Sequence, residues 1–267
     1  MTVKKITPEE LSRKMNAQED LVLVDVRAAE KYVDFHISGT SIKGLNIPKT
    51  EIFKLEDGTG QNVSELPRNK ELIITCTTGN SAAKCANILT EKEYDVVLLE
   101  GGITAWKEYM GKASIAQMWE EFKIGAPNAP ESYEAWAFGD SKEMADELAG
   151  LVLSGKKTGT SSNYLLYELE SETLPHVGLH NIILDGEGQA VAVVETTSVE
   201  VVRFDEVTEE HAHSEGEGDC SLRYWREVHQ DFFERELESV KQHFHDKIPV
   251  VCERFKVVFK KNSSIVA

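Results

Sequence analysis

Three short apolar runs constrain the fold of the first part of this chain most strongly. They lie at residues 21–24, 72–74 and 96–99, and each is continuous, with no polar residue between the apolar ones. Continuous runs of this length are typical of strands buried on both faces in a parallel sheet. Helix signals separate them, at Thr7-Pro8-Glu9-Glu10 and at 82–93. The alternating order predicts an α/β fold with helices on both sides of the sheet.

The chain has 267 residues, more than one compact core usually serves, so two domains are expected. We place the first at 1–112 and the second at 135–262, with a linker and one short leading helix at 113–134, where glycines and prolines cluster.

After a helix that starts near Asp140, the second domain is dominated by strand-like runs, at 181–184, 190–194, 199–204 and 250–259. In the last of these, Val251, Phe255, Val257 and Phe259 fall on one side at period two, as in a half-buried strand. An acidic helix at about 221–241 interrupts the strand-like runs. This pattern predicts an α+β domain with a curled sheet or small barrel.

Composition indicates a cytoplasmic protein without membrane contact. No apolar run approaches the roughly 18 to 20 residues needed to span a bilayer, and the first residues lack the apolar core of a signal peptide. Four cysteines in a chain of this length do not form a disulfide framework, so each is expected to be a reduced thiol.

The net charge of −17 is unevenly distributed. Residues 1–114 hold 17 acids and 15 bases, which leaves 29 acids and 14 bases for the remainder. A negative field of this size repels a polyanion at long range, so general DNA binding is not expected. A local basic pocket for one nucleotide or a short RNA is still compatible with this negative net charge.

Cys76 lies at the point where a buried strand ends and a helix begins. Backbone N–H groups converge at such a junction and favour an anion, and a thiolate there has a depressed pKa. The same donors would stabilise a persulfide or bound thiosulfate. The alternative is an inert buried thiol, as for many cysteines. The residues predicted to surround the sulfur are Thr77, Thr78, Gly79, Asn80 and Ser81.

Four motifs in the first domain, in the expected order, resemble the rhodanese family. They are Asp25-Val26-Arg27, the stretch at 35–40 (FHISGT), the Cys76 loop, and the stretch at 101–106 (GGITAW). The resemblance implies a rhodanese fold and a sulfurtransferase that carries a persulfide on Cys76. Asp25 and Arg27, placed in the substrate-binding set, are expected to form an ion pair that supports the loop.

The Cys76 loop departs from the family pattern C-R-x-G-x-R, because Thr77 and Ser81 occupy the positions where arginines often lie. Arginine would bind the oxyanion of thiosulfate through two hydrogen bonds. Its absence predicts that a protein persulfide is a better sulfur donor than thiosulfate. Cys85 falls in the middle of the following helix and is expected to be a core residue.

Several stretches of the second domain together resemble the ASCH family, which has a PUA-like β-barrel fold. They include 136–140 (WAFGD), 155–158 (GKKT), 175–178 (PHVG), 194–197 (VETT), 204–207 (FDEV) and the polar block at 215–229. The resemblance implies RNA or nucleotide recognition, and some members resemble ribonucleases or amidohydrolases that deacetylate a modified cytidine.

Two sets of residues are candidates for that role. Lys157 is a candidate anion binder or base, Thr160 a candidate nucleophile and Glu195 a candidate proton shuttle, matching the Lys/Thr/Glu arrangement inferred for the amidohydrolases. The second set is predicted to grip a phosphate and stack on a base, although its tryptophan is equally compatible with the core. Its members are Ser221, Arg223, Trp225 and Arg226.

Two hypotheses of different classes follow for the whole chain. The first is a sulfurtransferase with a sulfur donor as partner, fused to a domain that binds RNA, a nucleotide or a nucleoside. The alternative is a non-catalytic rhodanese docking module fused to an ASCH domain that acts as a ribonuclease or acetylated-cytidine amidohydrolase. No cofactor is expected, and no metal, because the spacing of His211, His213 and Cys220 matches no common ligand pattern.

Overall fold

The computed structural model describes residues 3–56, 63 and 65–261. The chain divides into two compact units, Met1–Met110 and Gly111–Ala267. The helix Gly102–Gly125 runs without interruption through the boundary predicted near residue 113. The predicted end of the second domain, residue 262, lies outside the described residues. No helix in the described part of the chain combines the length and apolar character needed to cross a membrane.

The first unit contains a five-stranded sheet in which all strand pairs are parallel. The strand order is β1-β5-β4-β2-β3. Its strands are β1 (Lys4–Ile6), β2 (Leu21–Asp25), β3 (Ile42–Asn46), β4 (Leu72–Thr75) and β5 (Val96–Leu99). Its helices are α1 (Pro8–Asn16), α2 (Ala29–Asp34), α3 (Lys49–Glu56), α4 (Asn80–Glu91) and the start of α5 (Gly102–Gly125).

Helices cover both faces of this sheet, as predicted. Ile52 of α3 and Leu89 of α4 belong to the apolar cluster on one face, whereas Leu11 of α1 and Trp106 of α5 belong to the cluster on the other. Every residue of β2, β4 and β5 is buried, which is why their sequences are continuous apolar runs. The predicted capping box of α1 is present, with Thr7 and Glu10 bonded to each other's backbone N–H groups.

The second unit contains a five-stranded sheet of order β6-β8-β9-β10-β7 that curls into a half-barrel. The pair β6·β8 is parallel and the other pairs are antiparallel. Its strands are β6 (Glu134–Ala137), β7 (Gly159–Asn163), β8 (His180–Leu184), β9 (Ala190–Arg203) and β10 (Pro249–Lys260). Its helices after α5 are α6 (Lys142–Leu153), α7 (Tyr164–Glu170), α8 (Glu209–Glu215) and α9 (Leu222–Ser239), with a 3₁₀ turn at Phe204–Glu206.

The strands of this unit differ from the sequence-based expectation in three ways. The two runs predicted at 190–194 and 199–204 form one strand, β9, which bends at register shifts against β10. The strands β6 and β7 were not predicted, because they are short and rich in serine, threonine and glutamate. The first half of β10 is buried on both faces rather than one, since α9 packs on its second face.

Candidate functional sites

The Cys76 sulfur lies at the amino terminus of α4. Cys76 directly follows β4, and its side chain is buried. The backbone N–H of Ala82, in the first turn of α4, donates to Sγ at 3.4 Å. Free N–H groups and the positive end of the helix dipole stabilise negative charge at this position. The geometry therefore suits a thiolate or a persulfide anion.

Glycine at position 102 lets the loop around Cys76 pack against the start of α5. A Cβ on Gly102 would lie 2.2 Å from the carbonyl oxygen of Cys76, and the residue has φ +63°. The N–H of Ile103 donates to that same oxygen at 2.9 Å, and Thr104 donates through its N–H and hydroxyl to the Thr77 carbonyl at 3.0 Å. The GGITAW motif thus holds the loop in place through hydrogen bonds to its backbone carbonyl groups.

The predicted loop residues divide between the loop and the helix. Thr77 and Thr78 are exposed, and Gly79 caps α4 with φ 90°, a left-handed conformation that favours glycine. Asn80 and Ser81 belong to the first helical turn, not to the loop, so α4 begins two residues before the predicted start at 82.

Asp25 and Arg27 form a buried ion pair beside this loop, as expected. Arg27 Nε donates to Asp25 Oδ2 at 2.9 Å and Nη2 to the same carboxylate at 2.6 Å. Asp25 ends β2 opposite Thr75, the last residue of β4, and Arg27 also donates to the Phe35 carbonyl. The guanidinium is thereby held by the protein itself, which suits a supporting role.

Cys85 has a different environment from Cys76. It is fully buried in α4, and burial, together with the charge of Cys76, raises the pKa of its thiol to about 12. It remains a protonated thiol near neutral pH.

A cleft of about 880 Å³ lies in the second unit and is lined by residues of its sheet and its helices. Strands β6, β7, β8 and β10 contribute to its wall, and α9 and the segment at 171–176 contribute to its rim. Four phenylalanine, tyrosine or tryptophan rings line it, those of Trp136, Phe138, Tyr167 and Phe232. Its volume falls in the range of small-molecule sites, about 300 to 1,000 Å³.

Lys157 forms the floor of this cleft together with two glutamates. Its ammonium group donates to Glu215 Oε2 at 2.9 Å and to Glu217 Oε1 at 2.6 Å, and its side chain is 1 % exposed. Burial acts to lower the pKa of Lys157, but the charges and hydrogen bonds of Glu215 and Glu217 outweigh it and raise the pKa. Lys157 is therefore a permanent cation whose charge is compensated inside the protein.

Glu215 accepts further hydrogen bonds at its other oxygen. Ser161 Oγ and Trp225 Nε1 both donate to Oε1 at 2.7 Å. The rings of His211 and His229 lie 3.4 and 3.5 Å from the same atom. Burial opposes ionisation of Glu215, but Lys157 and the two histidines hold its pKa well below the usual range. The carboxylate is ionised and saturated with donors.

The structure separates the predicted Lys/Thr/Glu set. Lys157 and Thr160 both line the cleft, but Glu195 lines a smaller pocket on the unit and pairs with Lys256 at 2.9 Å. A role for Lys157 as a neutral base is not supported, because its ammonium group is paired with Glu215 and Glu217. A role as anion binder is also not supported, because its hydrogen bonds go to two carboxylates.

The predicted phosphate-gripping set is not assembled either. Ser221 caps α9, Arg226 donates to the Asp205 carbonyl, and the Arg223 side chain is 80 % exposed beside Asp219. None of the three lines the cleft. Trp225 is 3 % exposed and stacked on His229, so it is a core residue and not a stacking surface for a base.

Glu253 is one of the cleft residues that sequence reasoning missed. It lies in β10 opposite Thr160 of β7 and is 8 % exposed. Burial raises its pKa to about 7; the hydrogen bond from Thr196 opposes the rise and the charge of Glu134 adds to it. A signal was present, because Glu253 shares the period-two face of Val251 with apolar neighbours. For Glu215 the signal was its place in the polar block at 215–229.

No group of three histidine, cysteine, aspartate or glutamate residues suited to a metal occurs among the described residues. His211 is buried against Ser161, with Nε2 2.8 Å from Oγ, whereas His213 is exposed.

The first unit has a cysteine at the end of a parallel strand, and the second has a curled sheet with a buried Lys–Glu ion pair. Each part of the chain matches a known protein family. A family model described as ASCH domain matches residues 134–259, and one described as rhodanese-like domain matches residues 7–109. The chain belongs to the ASCH family through its second domain and carries a rhodanese-like first domain. Both resemblances inferred from the sequence are confirmed.

Solved structures and a curated relative are similar to the two parts. A protein from Enterococcus faecalis V583 is 37 % identical with a TM-score of 0.52, covering 55 % of this chain and 88 % of that one. The ASCH domain from Lactobacillus crispatus JV V101 is 31 % identical with a TM-score of 0.52, covering 56 % and 94 %. A protein of Allochromatium vinosum named sulfurtransferase is 29 % identical over 108 residues, 40 % of this chain and 91 % of the relative.

Removing the Glu215 carboxylate should destabilise the second domain. In Glu215→Ala the ammonium of Lys157 keeps one partner instead of two, and the donors of Ser161 and Trp225 lose their acceptor. Breaking a buried ion pair in this way costs about 3 to 5 kcal/mol. Urea unfolding of the full chain, followed by tryptophan fluorescence, measures the change. Glu238→Ala, an exposed glutamate of α9, is the matched control and should change the unfolding free energy by less than about 0.5 kcal/mol.

Glu253 should make stability depend on pH. Because its folded pKa of about 7 lies above its usual value, its protonated form favours the folded state. That contribution is complete below about pH 4.3 and is lost as the pH rises through about 7. In Glu253→Gln this loss is absent, so the variant should gain on the order of 2 to 3 kcal/mol over wild type between about pH 5 and pH 8. The unfolding free energies of the two proteins are measured by urea unfolding at several pH values. If their difference does not change between about pH 5 and pH 8, the assignment is contradicted.

Proposed function

We propose that the first domain is a sulfurtransferase in which Cys76 carries the transferred sulfur. The observation that supports this most directly is the position of Sγ, 3.4 Å from the N–H of Ala82 at the start of α4. The Cys76 thiolate attacks the outer sulfur of a donor persulfide, the donor's S–S bond breaks, and the donor leaves as a thiolate. The product is a Cys76 persulfide whose terminal sulfur is anionic and next to the helix amides.

Loading of Cys76 can be followed directly by the mass of the intact protein. After exposure to a persulfide donor, wild type should gain one sulfur and Cys76→Ala should gain none. Cys85→Ala is the matched control and should load like wild type, because the pKa of Cys85 keeps it a protonated thiol. Equal loading of Cys76→Ala and wild type would remove the proposal and leave a docking role for the domain.

The donor is proposed to be a protein persulfide. No arginine occupies the loop positions Thr77 and Ser81, and the Arg27 guanidinium is bonded to Asp25. Thiosulfate therefore meets backbone amides and hydroxyls instead of an arginine pair.

A cysteine desulfurase carrying a persulfide should load Cys76 faster than thiosulfate does. The double variant Thr77→Arg with Ser81→Arg should raise the thiosulfate rate by about tenfold, since two charge-assisted hydrogen bonds are added. Loading from the desulfurase serves as its control and should change little. If wild type takes sulfur equally fast from both donors, the donor assignment is wrong.

For the second domain we propose binding of a ligand that contains a nucleobase. The cleft supports this, because it combines a volume of about 880 Å³ with the aromatic rings of Trp136 and Phe232 and with hydrogen-bonding side chains of Asn181, Thr160 and Glu253. A binding role is favoured over hydrolysis by the Lys/Thr/Glu set, because Glu195 lies outside the cleft.

Calorimetry with the common ribonucleosides, their 5′-monophosphates and a short single-stranded RNA tests this proposal. We expect at least one of these ligands to bind. Trp136→Ala should weaken that binding by about tenfold, as loss of a stacking surface does. Absence of heat with the whole panel would exclude a nucleobase ligand.

A further inference from the structure

The cleft of the second domain is lined by more negative than positive charge. Among the described lining residues six are glutamates, whereas two are lysine or arginine. The glutamates are Glu134, Glu172, Glu215, Glu217, Glu236 and Glu253, and the cations are Lys157 and Arg235.

Both cations are already engaged by the protein. Lys157 donates to Glu215 and Glu217, at 2.9 and 2.6 Å. Arg235 Nη1 donates to Asp140 Oδ2 at 2.9 Å, and its Nε donates to a backbone carbonyl of α9. A phosphate group entering the cleft would therefore face several carboxylates without a cation free to neutralise it, and like charges at close range are costly.

Glu253 has an acceptor that the protein leaves open. The side chain is 8 % exposed and lies in the cleft wall. Its hydrogen bond among the described residues is a long one, 3.4 Å from Thr196 Oγ1 to Oε2, and no lysine or arginine of the described chain forms an ion pair with it. The other oxygen, Oε1, has no hydrogen-bond partner in the described part of the chain and is not one of its fully buried unpaired atoms, so it is open to a donor in the cleft.

Asn181 supplies a complementary donor in the same cleft. Its Oδ1 accepts from Trp136 Nε1 at 3.1 Å, which fixes the orientation of the amide and leaves the NH₂ group for another partner. Asn181 lies opposite Glu134 in the β6·β8 pair. The cleft thus offers one open carboxylate oxygen, one amide donor and the ring of Trp136.

We propose that the ligand of this cleft is an uncharged or positively charged heterocycle whose amino or ring N–H group donates to Glu253, and that its phosphorylated forms are rejected. This rests on the proposed nucleobase binding and narrows it to nucleosides or free bases. Nucleotides and RNA strands are excluded by the charge of the site, even though the base itself would fit.

Paired calorimetric titrations of the full chain with each nucleoside and its 5′-monophosphate test this inference. The nucleoside should bind at least tenfold more tightly than its monophosphate. Glu253→Gln, which keeps the shape and removes the charge, should weaken nucleoside binding at least fivefold. Glu238→Gln on the exposed side of α9 is the matched control and should bind like wild type.

A second variant tests the charge argument independently of Glu253. Glu134→Gln combined with Glu172→Gln removes two negative charges from the cleft and should narrow the preference for nucleoside over monophosphate at least threefold. A monophosphate or RNA that binds wild type as tightly as the nucleoside overturns the inference while nucleobase binding stands. Unchanged nucleoside affinity in Glu253→Gln overturns the role of Glu253. No binding of any ligand removes the nucleobase proposal itself.

Discussion

The second domain depends on one buried carboxylate, Glu215. It is the last residue of α8, and its donors come from β7 through Ser161, from α9 through Trp225 and from the turn before β7 through Lys157. A buried ion pair is a costly arrangement that is stable only when all remaining hydrogen bonds are made. Once made, they fix the relative positions of the elements that form the floor of the cleft. Gly216 allows the close approach, since a Cβ there would lie 2.6 Å from the Lys156 carbonyl oxygen.

In the first domain, the fold positions one sulfur atom, that of Cys76, between the end of β4 and the start of α4. The parallel strands all end at one edge, where Asp25 of β2 and the Cys76 loop after β4 meet. A helix starts at that edge, so its free N–H groups lie next to the sulfur. The Asp25–Arg27 pair and the Gly102 turn hold this edge without adding positive charge to the loop. The donors next to the sulfur therefore come from the backbone at the start of α4 and not from an arginine side chain.

The charged residues of the second domain have one interpretation from the sequence and a different one from the structure. In the sequence, Lys157, Arg223 and Arg226 looked like a basic pocket in an acidic domain. In the structure, Lys157 is neutralised by Glu215 and Glu217, and the two arginines lie outside the cleft. The sequence contains the charges but not their pairing, and glutamates 58 and 60 positions away from Lys157 decide what it does. Glu195 was misplaced for a related reason, because the face of a strand to which a side chain points depends on register and bulges.

The sequence by itself determined the fold of both domains and the place of Cys76. Continuous apolar runs specify buried parallel strands, and the cap residues of α1 act over only three positions, so both can be read locally. The motifs that resemble the ASCH family are likewise short stretches, so they can be recognised from the sequence alone. Only the tertiary structure decided the chemistry of the cleft. There the pKa of Glu253, the fixed charge of Lys157 and the burial of Trp225 arise from neighbours distant in sequence, brought together where a low-dielectric interior makes each contact strong.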